Sequence, residues 1–81
     1  MLREFTPTKG RCYVGIDGEL YFCIGVHPMT DGEHVVLHRD SDDLRFVAVG
    51  IKAYDNDVIV WDHTTGGAYV TNRLRRWYKK F

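Results

Sequence analysis

Five cations, Arg73, Arg75, Arg76, Lys79 and Lys80, are interleaved with three aromatics in the terminal run TNRLRRWYKKF. Guanidinium and ammonium groups at this density can grip phosphates, and Trp77 or Tyr78 could stack on bases. Read as a strand, the run mixes charge and aromatics on both faces. Read as a helix over about 72–81, it sorts: Leu74, Trp77, Tyr78 and Phe81 fall at i, i+3, i+4 and i+7, and the cations take the remaining circumference. Thr71 or Asn72 offers an N-cap oxygen, and Lys79 and Lys80 suit the negative end of the helix dipole. So short a helix must dock to persist. The pattern therefore favours an aromatic face packed on a sheet over one held open for bases.

The second set is acidic. Asp40, Asp42, Asp43, Asp55, Asp57 and Asp62 stand near turns and strand ends, where several could share a rim that meets a basic surface. As a divalent-ion or acid–base site the RDSDDL run is weak, because a solvated acidic loop has the same composition. No EF-hand spacing surrounds it.

Cysteine and histidine form the third set. If Asp17-Gly18 is a two-residue hairpin turn, Cys12 faces Cys23 at a hydrogen-bonded pair, too wide for an easy disulfide. If His27 faces His34, His38 lies beside Cys23, and Cys12, Cys23 and His38 make a row across three strands. These are zinc ligands, but a row on a sheet does not enclose a tetrahedron and no C-x-x-C clip is present. His34 and His38 sit about 13 Å apart on a strand, too far to share an ion. No metal and no cofactor is therefore expected. Ser41, the one serine, lacks a nucleophile elbow, and the glycines form no phosphate-cradling loop. The reading is against an enzyme.

The elements that would position these groups read as β. RCYVGI and ELYFCIGV flank Asp17-Gly18; HVVLHR follows a loop from Pro28 to Glu33; LRFVAVGIKAY follows DSDD. Asp55-Asn56 turns into DVIVWDH, and Gly66-Gly67 turns that into AYV. The expectation is one domain over 1–81: a five- or six-stranded antiparallel meander over about 11–70 with a short C-terminal amphipathic helix. Both strand faces carry apolar residues. Tyr13, Leu20, Phe22 and Ile24 are expected on one face of the first hairpin, with Val14, Ile16 and Tyr21 on the other. Phe46 is expected opposite Val47, Val49 and Ile51. The sheet should therefore twist strongly or curl into a small SH3-like or OB-like barrel, or the C-terminal segment should cover its second face.

Composition bounds the rest. At 44% hydrophobic the 81 residues suit one compact fold. The longest apolar run, Leu20 to Val26, is far short of the roughly 20 residues that span a bilayer, and the first residues have no signal-peptide core. A cytoplasmic protein with no membrane partner is expected. Net charge is zero but segregated: residues 15–62 hold ten carboxylates against three cations, and residues 63–81 hold five cations and no carboxylate. Such a dipolar domain suits a small non-enzymatic protein-binding module, an adaptor or inhibitor docking one charged pole onto a larger protein or nucleoprotein complex. Its size would fit an accessory or phage-encoded protein. The alternative is a nucleic-acid-binding small β-barrel that uses the basic helix.

Overall fold

The computed structural model describes residues 1–69. Eight strands appear: β1 (Arg3–Glu4), β2 (Cys12–Val14), β3 (Leu20–Met29), β4 (Gly32–Arg39), β5 (Leu44–Val49), β6 (Lys52–Ala53), β7 (Ile59–Val60) and β8 (His63–Tyr69). They form two antiparallel sheets, one of five strands in the order β2-β3-β4-β5-β8 and one of three in the order β1-β6-β7. The protein is thus mainly β, as expected, and β2 to β5 form the expected meander. The C-terminal helix expected over about 72–81 lies outside the described residues.

Of the expected alternatives, a small barrel or a strongly twisted sheet, a closed barrel is not formed among the described residues. Gly50, at φ +76°, carries the chain from β5 in the large sheet to β6 in the small one. On the far side, among the described residues, an isolated parallel bridge, Gly15 to Ile59, links the sheets, with the Ile16 N–H donating to the Ile59 carbonyl at 3.0 Å. A hollow of about 550 Å³, lined by Thr8, Arg11, Tyr13, Asn56 and Val58 among others, separates β2 from the β6–β7 turn there. The strands near it are too short to zip the gap.

The core lies between the sheets. Tyr21, Cys23, Val35, Leu37, Phe46 and Ala48 from the large sheet meet Ile51, Ala53 and Ile59 from the small one. Tyr21, Phe46 and Trp61 pack as an aromatic cluster, with Trp61 edge-on to Tyr21 at 5.1 Å between centroids. Ile51, expected on the side of Val47 and Val49, joins the core instead, because the positive φ at Gly50 turns the chain over before it.

The first hairpin differs from the expected two-residue turn. Gly18 alone has positive φ there; its N–H donates to the Gly15 carbonyl at 2.9 Å, and Gly15 and Glu19 close the loop. This is a three-residue turn whose last residue is left-handed. It moves the register by one: Cys12 pairs with Phe22, Tyr13 with Tyr21 and Val14 with Leu20. Tyr21 and Tyr13 consequently share the inner face, and Val14, Leu20 and Phe22 the outer one, which reverses the expected grouping. Residues 54–58 repeat the motif with Asp57 left-handed at φ 65°.

Two more turns differ from expectation. β3 runs through Pro28 to Met29, and Met29 pairs directly with Gly32, so no long loop intervenes. Gly66-Gly67 does not reverse the chain either. It forms a bulge inside β8, with Gly66 at φ +64°, where the pairing with β5 shifts between Arg45 and Val47.

Candidate functional site

The six aspartates fall at three places, with three of them together in one loop. Asp40, Asp42 and Asp43 occupy the β4–β5 loop, where Asp43 adopts φ 60°. A short acidic side chain tolerates that conformation better than most. Asp43 is buried, and its Oδ1 lies 2.9 Å from Nε2 of the fully buried His38. Asp42 receives a two-pronged hydrogen bond from Arg39, Nε at 2.9 Å and Nη2 at 2.8 Å, which holds its carboxyl below the usual range. The Asp40 N–H donates to the Leu20 carbonyl at 2.9 Å, tying the loop to the first hairpin.

Asp17 belongs to the same end. The Tyr21 hydroxyl donates to Asp17 Oδ2 at 2.6 Å, and the Glu19 N–H donates to Oδ1 at 3.0 Å. Burial opposes the Asp17 charge, but these donors outweigh it and hold the carboxyl low. Burial, and then the Asp17 carboxylate, push the Tyr21 hydroxyl up to about 12. Asp17, Tyr21, Arg39 and Asp42 thus make a linked polar chain that clips the hairpin to the loop.

Asp55 and Asp57 sit on the β6–β7 turn and anchor the N-terminus. The Met1 ammonium is 3.0 Å from Asp55, and Arg3 reaches Asp57 at 2.8 Å and the Tyr54 carbonyl at 2.9 Å. Both carboxylates are exposed, so each pair contributes at most about 1 kcal/mol.

Asp62 lies elsewhere, and there carboxylates do gather. A groove of about 450 Å³ is lined by Glu4 of β1, Asp31 of the β3–β4 turn, Glu33 of β4, Lys52 of β6 and Asp62. Four carboxylates face one ammonium, and Phe5, Val35 and Ile51 form the apolar part of its wall. Lys52 Nζ is 3.2 Å from Asp62, Thr6 donates to Glu33 at 2.6 Å, and Asp31 lies 2.8 Å from His34, which holds its carboxyl low. Glu4, Asp31 and Glu33 are functional candidates that the sequence reading missed. Glu4 is distant along the chain from Asp31 and Glu33, which flank one turn, and the pairing of β1 with β6 and the short β3–β4 turn place them with Asp62.

The row of Cys12, Cys23 and His38 is broken. Its outer-face members are Cys12, Phe22 and His38, in register across β2, β3 and β4. Cys23 pairs with Leu37 and points into the core, because β3 bulges between Cys23 and Gly25. His27 does face His34, as expected. Among the described residues no group of three or more His, Cys, Asp or Glu side chains is placed to hold a metal ion. Arg73, Arg75, Arg76, Lys79 and Lys80 lie outside the described residues. No helix among the described residues is long and apolar enough to cross a membrane.

Chemically, then, the described surface gathers charge in two places: one carboxylate groove at the β3–β4 end and one buttressed acidic loop at the other. No known protein family, curated protein or solved structure matches this chain.

Proposed function

We propose that this chain is a small non-enzymatic binding module that docks its acidic groove onto a basic segment of a larger protein or nucleoprotein complex, as an adaptor or inhibitor. The observation that supports this reading most is the meeting of Glu4, Asp31, Glu33 and Asp62 around one groove, against the single cation Lys52. Carboxylates drawn from three separate segments repel one another, a cost that a partner's arginines or lysines would relieve on docking. Such a surface steers a basic partner and rejects an acidic one, with an on-rate that falls as salt rises. A cytoplasmic setting accords with two thiols that sit apart, Cys12 exposed and Cys23 buried.

The test is affinity capture from lysate with the wild-type chain and with a Glu4→Gln, Asp31→Asn, Glu33→Gln variant, followed by titration of each captured protein. The reading requires a basic partner that the variant loses and that weakens with salt. A partner held equally by both chains would overturn it.

A second reading rests on Arg73, Arg75, Arg76, Lys79 and Lys80, which carry no neighbouring carboxylate in residues 63–81 and could grip nucleic-acid phosphates. Fluorescence anisotropy with labelled single- and double-stranded DNA and RNA separates the two. Salt-sensitive binding abolished by changing those five residues to Glu would favour the nucleic-acid reading.

A further inference from the structure

Three of the chain's four histidines stand in one row behind the acidic groove. His27 of β3 pairs with His34 of β4, His34 pairs with Val49 of β5, and Val49 pairs with His63 of β8. Directly paired residues project from the same side of a sheet, so the three imidazoles share the outer face at the end of the β3–β4 turn. The row is tied to the groove at two points. Asp31, which lines the groove, brings its Oδ1 to 2.8 Å from His34 Nε2. Asp62, which also lines it, immediately precedes His63. The fourth histidine, His38, is buried against Asp43 at the opposite end of β4 and does not face the groove.

The charged and titratable groups around the row come from every neighbouring element. His34 meets His27 from β3 and Asp31 from the turn, and beyond the apolar Val49 stands His63 of β8. The groove in front adds Glu4 from β1, Glu33 from β4, Lys52 from β6 and Asp62. Histidine changes charge between about pH 5 and 8, whereas carboxylates ordinarily titrate at about pH 4. The hydrogen bond with His34 holds the Asp31 carboxyl lower still.

We propose that this row sets the charge of the groove: protonated, it offsets the excess of carboxylates and rejects a basic partner, and neutral, it leaves that excess intact for docking. The inference rests on the groove being the docking site. Four carboxylates stand against one ammonium there, and three imidazolium charges cancel the excess. His34 touches Asp31, His63 adjoins Asp62, and His27 stands one strand spacing from His34. That spacing is about 4.8 Å and the Debye length in physiological salt about 8 Å, so screening leaves the row coupled to the groove. Linkage makes the effect reciprocal: a basic segment seated in the groove disfavours protonation of the row, so docking in mild acid releases protons.

The test uses the full chain and a hexalysine amide labelled with rhodamine at its N-terminus. At fixed ionic strength, anisotropy titrations should give an affinity about tenfold weaker at about pH 5.5 than at about pH 7.5. In a His27→Gln, His34→Gln, His63→Gln variant, its fold checked by amide NMR spectra, that dependence should vanish. As a second readout, saturating hexalysine should move the ring-proton titrations of His34 and His63 to lower pH, which a merely structural role would not produce. Equal wild-type affinity at both pH values, or a histidine variant that keeps the dependence, would overturn the proposal and leave the groove reading standing. No binding at about pH 7.5, or binding there that the Glu4→Gln, Asp31→Asn, Glu33→Gln variant retains in full, would overturn the groove reading and the proposal with it.

Discussion

Gly50 is the sharpest point at which the fold can be tested. It holds φ +76°, and an added Cβ would lie 2.7 Å from Cγ of Asp62 and 3.1 Å from its Cβ, with Oδ2 closer still. The Asp62 backbone is held, because its N–H donates to the Val49 carbonyl at 3.0 Å, so its side chain alone can turn away while Cβ stays close. Gly50→Ala should therefore cost two separable amounts. The left-handed backbone costs an alanine about 1–2 kcal/mol. The collision adds about 1–2 kcal/mol as Asp62 is pushed aside and its exposed ion pair with Lys52 is lost. Gly18→Ala isolates the first amount, since Gly18 has φ +82° and nothing within 4 Å of an added Cβ. In urea titrations, with a slope of about 1 kcal/mol per molar for a chain this small, Gly50→Ala should lower the midpoint by about 2–4 M and Gly18→Ala by about 1–2 M. Adding Asp62→Ala to Gly50→Ala should recover part of the loss, whereas Asp62→Ala alone should cost under about 1 kcal/mol. Equal midpoints for Gly50→Ala and Gly18→Ala, or no recovery in the double variant, would refute the placement of Asp62 against the pivot.

Three further outcomes are expected. Tyr21 ionises at about 12 in the folded chain, raised by burial and by Asp17, against about 10 unfolded. Its neutral form therefore contributes stability that is complete below pH 10 and is lost as pH rises through about 12; the alkaline stability loss should be smaller in Tyr21→Phe, and identical pH profiles would contradict the burial. Leu37→Ala, at a site 0% exposed between the sheets, should cost about 2–5 kcal/mol by chemical denaturation, and a cost under 1 kcal/mol would mean that the sheets do not share this core. With a thiol reagent at neutral pH, Cys12 should react in the native protein and Cys23 only on unfolding, because Cys23 is buried and burial pushes its thiol up. Two equally fast thiols would contradict the register of the first hairpin.

How much of the site was legible follows from which interactions are local. Asp40, Asp42 and Asp43 sit in a loop announced by their own composition, and the link from Arg39 to Asp42 spans three residues. Asp55 and Asp57 were legible as turn residues, but their partners Met1 and Arg3 were not, because β1 reaches them only through β6. The groove was illegible for the same reason. Glu4, Asp31, Glu33 and Asp62 carry no shared spacing, and their meeting depends on a pivot at Gly50 that reads in the sequence as an ordinary glycine within a strand.

By itself the sequence determined the β character, the meander from β2 to β5, the facing of His27 and His34, and the segregation of charge along the chain. These follow from side-chain shape, from turn chemistry and from counting, all of which act between near neighbours. Tertiary structure alone decided which face of each strand turned inward. One extra turn residue before Glu19 paired Tyr13 with Tyr21 and parted Cys12 from Cys23, and the bulge after Cys23 parted it from His38. A strand alternates with a period of two, so a shift of a single residue reverses its faces, and local preference does not choose between the two registers. The choice falls to what each face meets across the core, which here is the small sheet built by Ile51, Ala53 and Ile59.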